Sequence, residues 1–141
     1  DHARLSMNVR SYDIASRDIT KRKLYDIADG IGKITDCAFE LEYVDGYEPT
    51  INHEGVAELV ADACRKHVGG DSVEIGDYDL GSDDFSYYMN ATGTPGAYFF
   101  LLAGYEGGGR YVNHHPRFSW KEAAMKTGVG AYLAVVNEYL R

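Results

Sequence analysis

The first 45 residues contain two alternating patterns separated by a helical one. Apolar and polar residues alternate over 3–10, which is the period-two pattern of a half-buried strand. Apolar residues return every three or four positions over 14–34 and predict an amphipathic helix, with Asp13 or Ser16 available as its N-cap. Alternation over 38–43 predicts a second strand. This order of elements suits half of a small α+β sandwich.

After a connector at 47–52, helices and strands are predicted to alternate. The predicted elements are a helix over 54–68 that ends at Gly69, a strand over 72–75, a short helix opening at 81–85, a strand over 97–103, and a final helix that starts at a capping box of Ser119 and Glu122. The unbroken apolar run at 97–103 is typical of a strand buried on both faces. The order predicts a mostly parallel α/β domain, so the chain is expected to divide into domains at 1–50 and 51–141.

Composition excludes several classes of protein. Hydrophobic residues make up 45% of the 141 residues and charged residues 26%, which is enough apolar material for a core. The net charge of −8 argues against nucleic acid as a partner, and the sequence contains no apolar run long enough to span a membrane. Cys37 and Cys64 are far apart and are expected to be free thiols in the cytoplasm, although a disulfide stays open. The chain begins without Met and is expected to be a piece of a longer polypeptide.

Two adjacent histidines, His114 and His115, follow a glycine-rich loop and precede the final helix. In α/β sheets, functional residues collect beyond the carboxyl ends of the strands, and imidazole is the commonest metal ligand among side chains. Adjacent histidines do not both easily face one metal, so we expect at most one of them to be a ligand. A solvated loop without a metal is the alternative interpretation.

Two further features have a functional and a structural interpretation. The adjacent acids of the segment 81–85 open a helix, and capping of that helix competes with a role as an acid/base pair. Arg10 lies on the polar face of the first predicted strand. Its guanidinium is either solvated or a fork that binds a substrate carboxylate with two hydrogen bonds.

The order of these motifs resembles that of a known enzyme family. The motifs are Asn8-Val9-Arg10-Ser11, Gly81-Ser82-Asp83-Asp84-Phe85-Ser86 and His114-His115-Pro116-Arg117-Phe118, together with the connector at 47–52 and the segment 95–100. They resemble the C-terminal part of the aminoacylase- and desuccinylase-type zinc metallopeptidases, which are amidohydrolases. The resemblance covers essentially the whole chain.

The resemblance implies an α/β fold and a set of site residues. Residues 51–141 would form the C-terminal part of a zinc-peptidase-like three-layer α/β/α catalytic domain. Residues 1–50 would form half of a ferredoxin-like α+β lid and dimerisation domain. By the same resemblance, His114 is a metal ligand, Arg10 holds the substrate carboxylate, and Gly81 and Ser82 border the substrate. Asp83 stands where the family usually has Glu.

The resemblance also implies an activity. The parent protein would be a metal-dependent amidohydrolase or peptidase that hydrolyses the amide bond of N-acyl amino acids or small peptides. It would use two divalent ions, zinc first, with manganese, cobalt or nickel as alternatives, and would form a homodimer through the lid. The other ligands and the general base of the family have no counterpart in the sequence, so we expect the chain alone to be inactive. The alternative is a non-catalytic dimerisation or interaction module derived from this family.

Overall fold

Helices are the regular elements of the computed structural model, which describes residues 2–81, 83–105 and 111–141. They are α1 (Ile14–Thr35), α2 (Glu54–Val68), a short 3-10 turn (Gly70–Ser72), α3 (Phe85–Thr92) and α4 (Ala123–Tyr139). None of these helices combines the length and the apolar character needed to cross a membrane.

The predicted α/β fold class is wrong for the part of the chain that the structure describes. Neither the three-layer α/β/α arrangement at 51–141 nor the ferredoxin-like half at 1–50 is formed, because the described residues contain no strand or sheet. The four segments predicted as strands form no ladder of backbone hydrogen bonds, and the one at 72–75 begins within the 3-10 turn. Alternation fixes which side chains share a face, but a strand also needs a neighbour that pairs with its N–H and C=O groups.

The helix predictions are confirmed, with errors at two helix starts. Helix α3 begins at Phe85, after the two acids that were predicted to lie in its first turn. Helix α1 begins after Asp13, whose carboxylate accepts hydrogen bonds from the backbone N–H and the hydroxyl of Ser16, both at 2.7 Å. Helix α2 ends at Gly69, whose φ of 96° lies in the region that favours glycine. Helix α4 begins later than predicted, because its N-cap is Glu122 without a side-chain cap hydrogen bond.

The described chain forms two compact units. The first unit comprises Asp1–Ile51 and Tyr78–Thr94, and the second comprises Asn52–Asp77 and Pro95–Arg141. The division of the chain into domains at residue 50 stays a prediction.

In the first unit, the extended segment 36–45 runs back along α1. Near the end of the helix, the backbone N–H of Cys37 donates to the carbonyl of Gly32 at 3.2 Å. Further back, Lys21 forms a 2.6 Å ion pair with Asp45 and lies 4.8 Å from the ring centre of Tyr43. The hydrogen bond between them raises the pKa of Lys21 and lowers the pKa of Asp45. These contacts give the segment a helix as its neighbour in place of a strand.

The second unit has a small core between α2 and α4. Val60, Cys64 and Ala131 are buried there. Phe99 packs against this cluster, whereas Leu102 is 88% exposed. The expectation of a strand at 97–103 buried on both faces is therefore wrong: only part of the segment meets the helices.

Candidate metal and substrate site

Arg10 and the loop before α3 meet within the first unit. The guanidinium of Arg10 donates a hydrogen bond from Nη1 to the main-chain carbonyl of Leu80. Two residues further along, Tyr12 lies against Tyr78, with the ring centres 5.6 Å apart. Position 10 thus contacts position 80, and position 12 contacts position 78. This order is the one expected when two segments of the chain run past each other in opposite directions. The structure therefore places Arg10 beside Gly81, the next residue after Leu80 along the chain.

The loop at Gly81 is closed by its own side chains. The backbone N–H of Gly81 donates to Oδ1 of Asp79, and a Cβ atom at position 81 would lie 2.9 Å from that oxygen. This approach is closer than real Cβ atoms show, so a side chain at position 81 would require the Asp79 carboxylate to shift. Ser82, the other residue predicted to border the substrate, lies outside the described residues.

The acids that follow support the start of α3. Oδ1 of Asp83 accepts a hydrogen bond of 2.9 Å from the backbone N–H of Phe85, two residues on, which is an Asx turn directly before the helix. Asp84 is the N-cap residue, and its side chain forms no cap hydrogen bond. Ser86 is fully buried, and its hydroxyl has no hydrogen-bond partner within the described residues. Apart from the presence of Ser86 in the motif, no pattern of residues predicts this burial.

His114 lies in the second unit, on the segment between residue 111 and α4. Its backbone φ is 69°, in the left-handed region, and its side chain is exposed. Only one other non-glycine residue among those described, Asp36, has a positive φ. The imidazole of His114 forms no hydrogen bond with another residue in the described part of the chain.

His115 has a different environment from its neighbour. Its imidazole stacks on the ring of Tyr111, with the centres 4.3 Å apart and the planes 13° apart. Its Nδ1 accepts a hydrogen bond of 3.0 Å from the backbone N–H of Arg117. The motif predicted that the two histidines lie in one loop but did not indicate the contacts of Tyr111 and Arg117. The spacing of an aromatic residue four positions before His115 was the available signal.

The described residues do not by themselves form a complete metal site. Across 2–81, 83–105 and 111–141, no three His, Cys, Asp or Glu side chains are grouped so that they could hold a metal ion. A zinc site takes three or four protein ligands, and a lone imidazole at His114 does not meet that requirement. The assignments of His114 to a metal and of Arg10, Gly81 and Ser82 to a substrate stay predictions.

The cysteines are free. Cys37 is exposed and Cys64 is buried. Burial raises the pKa of the Cys64 thiol. Because the thiolate is the nucleophilic form, Cys64 is expected to be an unreactive side chain of the core.

Curated proteins with similar sequences are named as hydrolases. The putative amidohydrolase YhaA of Bacillus subtilis is 31% identical over 128 residues, which is 90% of this chain and 32% of that protein. The probable hydrolase sll0100 of Synechocystis is 30% identical over 133 residues, or 92% of this chain and 33% of the relative. An uncharacterized hydrolase of Staphylococcus aureus is 26% identical over 141 residues, which is 96% of this chain and 35% of that protein.

The chain therefore spans about a third of the length of the curated relatives it matches. No solved structure matches it significantly. A family model described as peptidase family M20/M25/M40 matches residues 8–138, which is nearly the whole chain. The span includes Arg10, the loop at Gly81 and His114, so the elements that carry the resemblance all fall within it. The chain belongs to peptidase family M20/M25/M40.

Proposed function

We propose that the chain is the C-terminal portion of a metal-dependent amidohydrolase that hydrolyses the amide bond of N-acyl amino acids or small peptides. The family match over 8–138 supports a hydrolase, and the name of the Bacillus subtilis relative supports an amidohydrolase. The observation that carries the proposal within the chain is His114, an exposed imidazole in a left-handed turn with no local partner.

In this proposal His114 supplies one ligand to a divalent metal, with zinc preferred and manganese, cobalt or nickel also compatible with an imidazole ligand. Two ions are expected in the parent enzyme. The remaining ligands are assigned to parts of the longer polypeptide, because the described residues lack them. For this reason we propose that the 141-residue chain alone is inactive.

Arg10 is proposed to bind the substrate carboxylate. Its contact with Leu80 uses one of the five N–H donors of a guanidinium, so donors are left for two parallel hydrogen bonds to a carboxylate. Gly81 and Ser82 are proposed to border the same substrate. Their neighbour Leu80 ties the loop to Arg10, which supports a shared role for these residues.

The assembly and location of the protein are also proposed. We propose a homodimer formed through residues 1–50, which is supported by apolar side chains on α1 that are at least half exposed: Ile19, Ile27 and Ile34. We also propose a cytoplasmic location, since free thiols suit a reducing compartment. Small-molecule substrates, rather than nucleic acid or membranes, are the proposed partners of the site.

The test uses the longest natural polypeptide that contains this chain. We expect His114→Ala to abolish both the release of amino acid from N-acyl substrates and the binding of one metal equivalent, measured by elemental analysis. His67→Ala, which removes another exposed histidine of the second unit, should change neither measurement. Full activity and metal content in His114→Ala would overturn the ligand assignment. Absence of hydrolysis in the unmodified polypeptide with added metal would favour the non-catalytic module.

A further inference from the structure

Two side chains of the loop after residue 110 lie against the ring of Tyr111. The imidazole of His115 is nearly parallel to that ring at 4.3 Å, and the guanidinium carbon of Arg117 lies 5.1 Å from the ring centre. The first contact is an aromatic stack and the second is a cation–π contact. Tyr111 thus connects two residues of the His-x-Pro-Arg motif that are not adjacent in the sequence.

Hydrogen bonds of His115 reinforce this arrangement. Its backbone N–H donates to the carbonyl of Val112 at 3.1 Å, and its own carbonyl accepts from the N–H of Phe118 at 2.9 Å. Its side-chain Nδ1 accepts from the backbone N–H of Arg117 at 3.0 Å. The backbone N–H, the backbone carbonyl and the side chain of His115 therefore each form a hydrogen bond within the segment 112–118. His115 is the residue around which this turn is organised.

His114 lies inside this turn but takes no part in its contacts. A positive φ is unfavourable for a residue with a Cβ atom, and such a conformation persists only where the surrounding contacts determine it. The contacts that flank His114 on both sides are those of His115, including its bond to Val112. The direction of the exposed His114 imidazole therefore depends on contacts that its neighbour makes.

We propose that Tyr111, His115 and Arg117 form a clamp, here called the Tyr111 clamp, which fixes the backbone at His114 and so sets the direction of its imidazole. His115 and Tyr111 are positioning residues in this proposal and do not bind the metal. Their role toward the metal rests on the proposed function of His114 as a ligand. The clamp itself does not depend on that function, and the two can be tested apart.

The first experiment tests the clamp in the 141-residue chain with diethyl pyrocarbonate, which modifies accessible imidazole nitrogens. Fragment mass spectra give the rate at each histidine, with His53 as an internal reference. We expect His114 to react faster than His115, because the stack and the bond to Nδ1 protect His115. Tyr111→Leu should raise the rate at His115 several-fold, and Tyr111→Phe should leave it unchanged because the ring is kept. An unchanged rate in Tyr111→Leu, or equal rates at His114 and His115 in the unmodified chain, would overturn the clamp.

The second experiment measures Co²⁺ binding to the longest natural polypeptide that contains the chain, by titration and by visible absorption. Residues that orient a metal ligand change affinity by about 10- to 100-fold when they are replaced. We expect Tyr111→Leu and His115→Ala to weaken Co²⁺ binding within that range and to alter the absorption bands, while Tyr111→Phe restores both. Circular dichroism confirms that each variant is folded.

The outcomes separate the two proposals. Unchanged Co²⁺ binding in His114→Ala would refute the proposed ligand, and the modification rates would still decide whether the clamp exists. Loss of binding in His114→Ala together with full affinity in Tyr111→Leu and His115→Ala would refute the positioning role.

Discussion

The guanidinium of Arg10 donates a hydrogen bond to the main-chain carbonyl of Leu80, the residue directly before Gly81. This contact joins two segments that are 70 residues apart in the sequence and that both carry predicted substrate-binding residues. The contact holds the guanidinium of Arg10 in one position and leaves its remaining N–H donors able to bind a carboxylate. A lysine has no planar fork with which to make both contacts at once.

From this geometry we expect Arg10→Ala to raise KM for N-acyl amino acids roughly 10- to 100-fold in the longest natural polypeptide, the range for hydrogen bonds to charged groups. Arg10→Lys should recover only part of this loss. Arg22→Ala is the matched control, because the Arg22 side chain donates a hydrogen bond to the carbonyl of Asp18 in its own helix. Steady-state kinetics on substrates with a free carboxylate and with its amide would measure the effect. An equal KM change for both substrates would contradict carboxylate binding by Arg10.

The helices could be predicted from the sequence because they depend on residues that are close together along the chain. The strands and the contacts at the site could not, because they depend on residues that are far apart in the sequence. The α1 prediction succeeded because the hydrogen bonds of a helix join residues four apart, and Asp13 caps it from three residues away. The alternation at 3–10 indicated an extended segment but did not indicate the absence of a pairing strand, and Leu5 is 85% exposed. At the site, the motif around His114 was visible in the sequence, whereas the contact between Arg10 and Leu80 depends on how distant segments meet.

Asp13 should make helix α1 sensitive to acid. Hydrogen bonds from Ser16 lower the pKa of Asp13 in the folded chain. A lowered pKa means that its stabilising effect is complete above the unfolded-state pKa of about 4 and is lost as the pH falls through the lower, folded value. Asp13→Asn keeps a good N-cap but does not titrate. Its thermal midpoint, followed by circular dichroism, should fall less than that of the unmodified chain between neutral and acidic pH.

The control for Asp13 is Glu58→Gln, at an exposed position of α2. It removes one acid without removing a cap, so its thermal midpoint should follow the pH dependence of the unmodified chain. The same loss of acid sensitivity in Glu58→Gln would show that the net charge, and not the cap, controls the response.

Helices α2 and α4 contact each other at His67 and Gly130. A Cβ atom added at Gly130 would overlap the imidazole of His67, with Cδ2 only 2.8 Å away. Because the exposed His67 ring must move aside, Gly130→Ala is expected to destabilise the chain by about 0.5–1.5 kcal/mol, the cost of holding a side chain away from its preferred rotamer. In a His67→Ala background, the same change should instead stabilise it by about 0.5–1 kcal/mol, because alanine is the better helix former.

Chemical denaturation of the four chains gives this coupling directly. Gly30→Ala is the control, since its added Cβ atom would meet nothing within 4 Å, and it should be stabilising in either background. If Gly130→Ala costs the same with and without the His67 ring, the close contact between the helices is not formed in solution.

Cys64 provides the last test, which concerns the core of the second unit. It is buried with Val60 and Ala131, while Cys37 is exposed. Because only the thiolate reacts, burial protects Cys64 twice, by excluding the reagent and by raising its pKa. We expect iodoacetamide to alkylate Cys37 several times faster than Cys64 in the folded chain. The pH at which Cys64 reacts at half its maximal rate should be higher in the folded chain than in denaturant. Equal rates at both cysteines, measured by mass spectrometry without denaturant, would mean that α2 and α4 do not enclose Cys64 in solution.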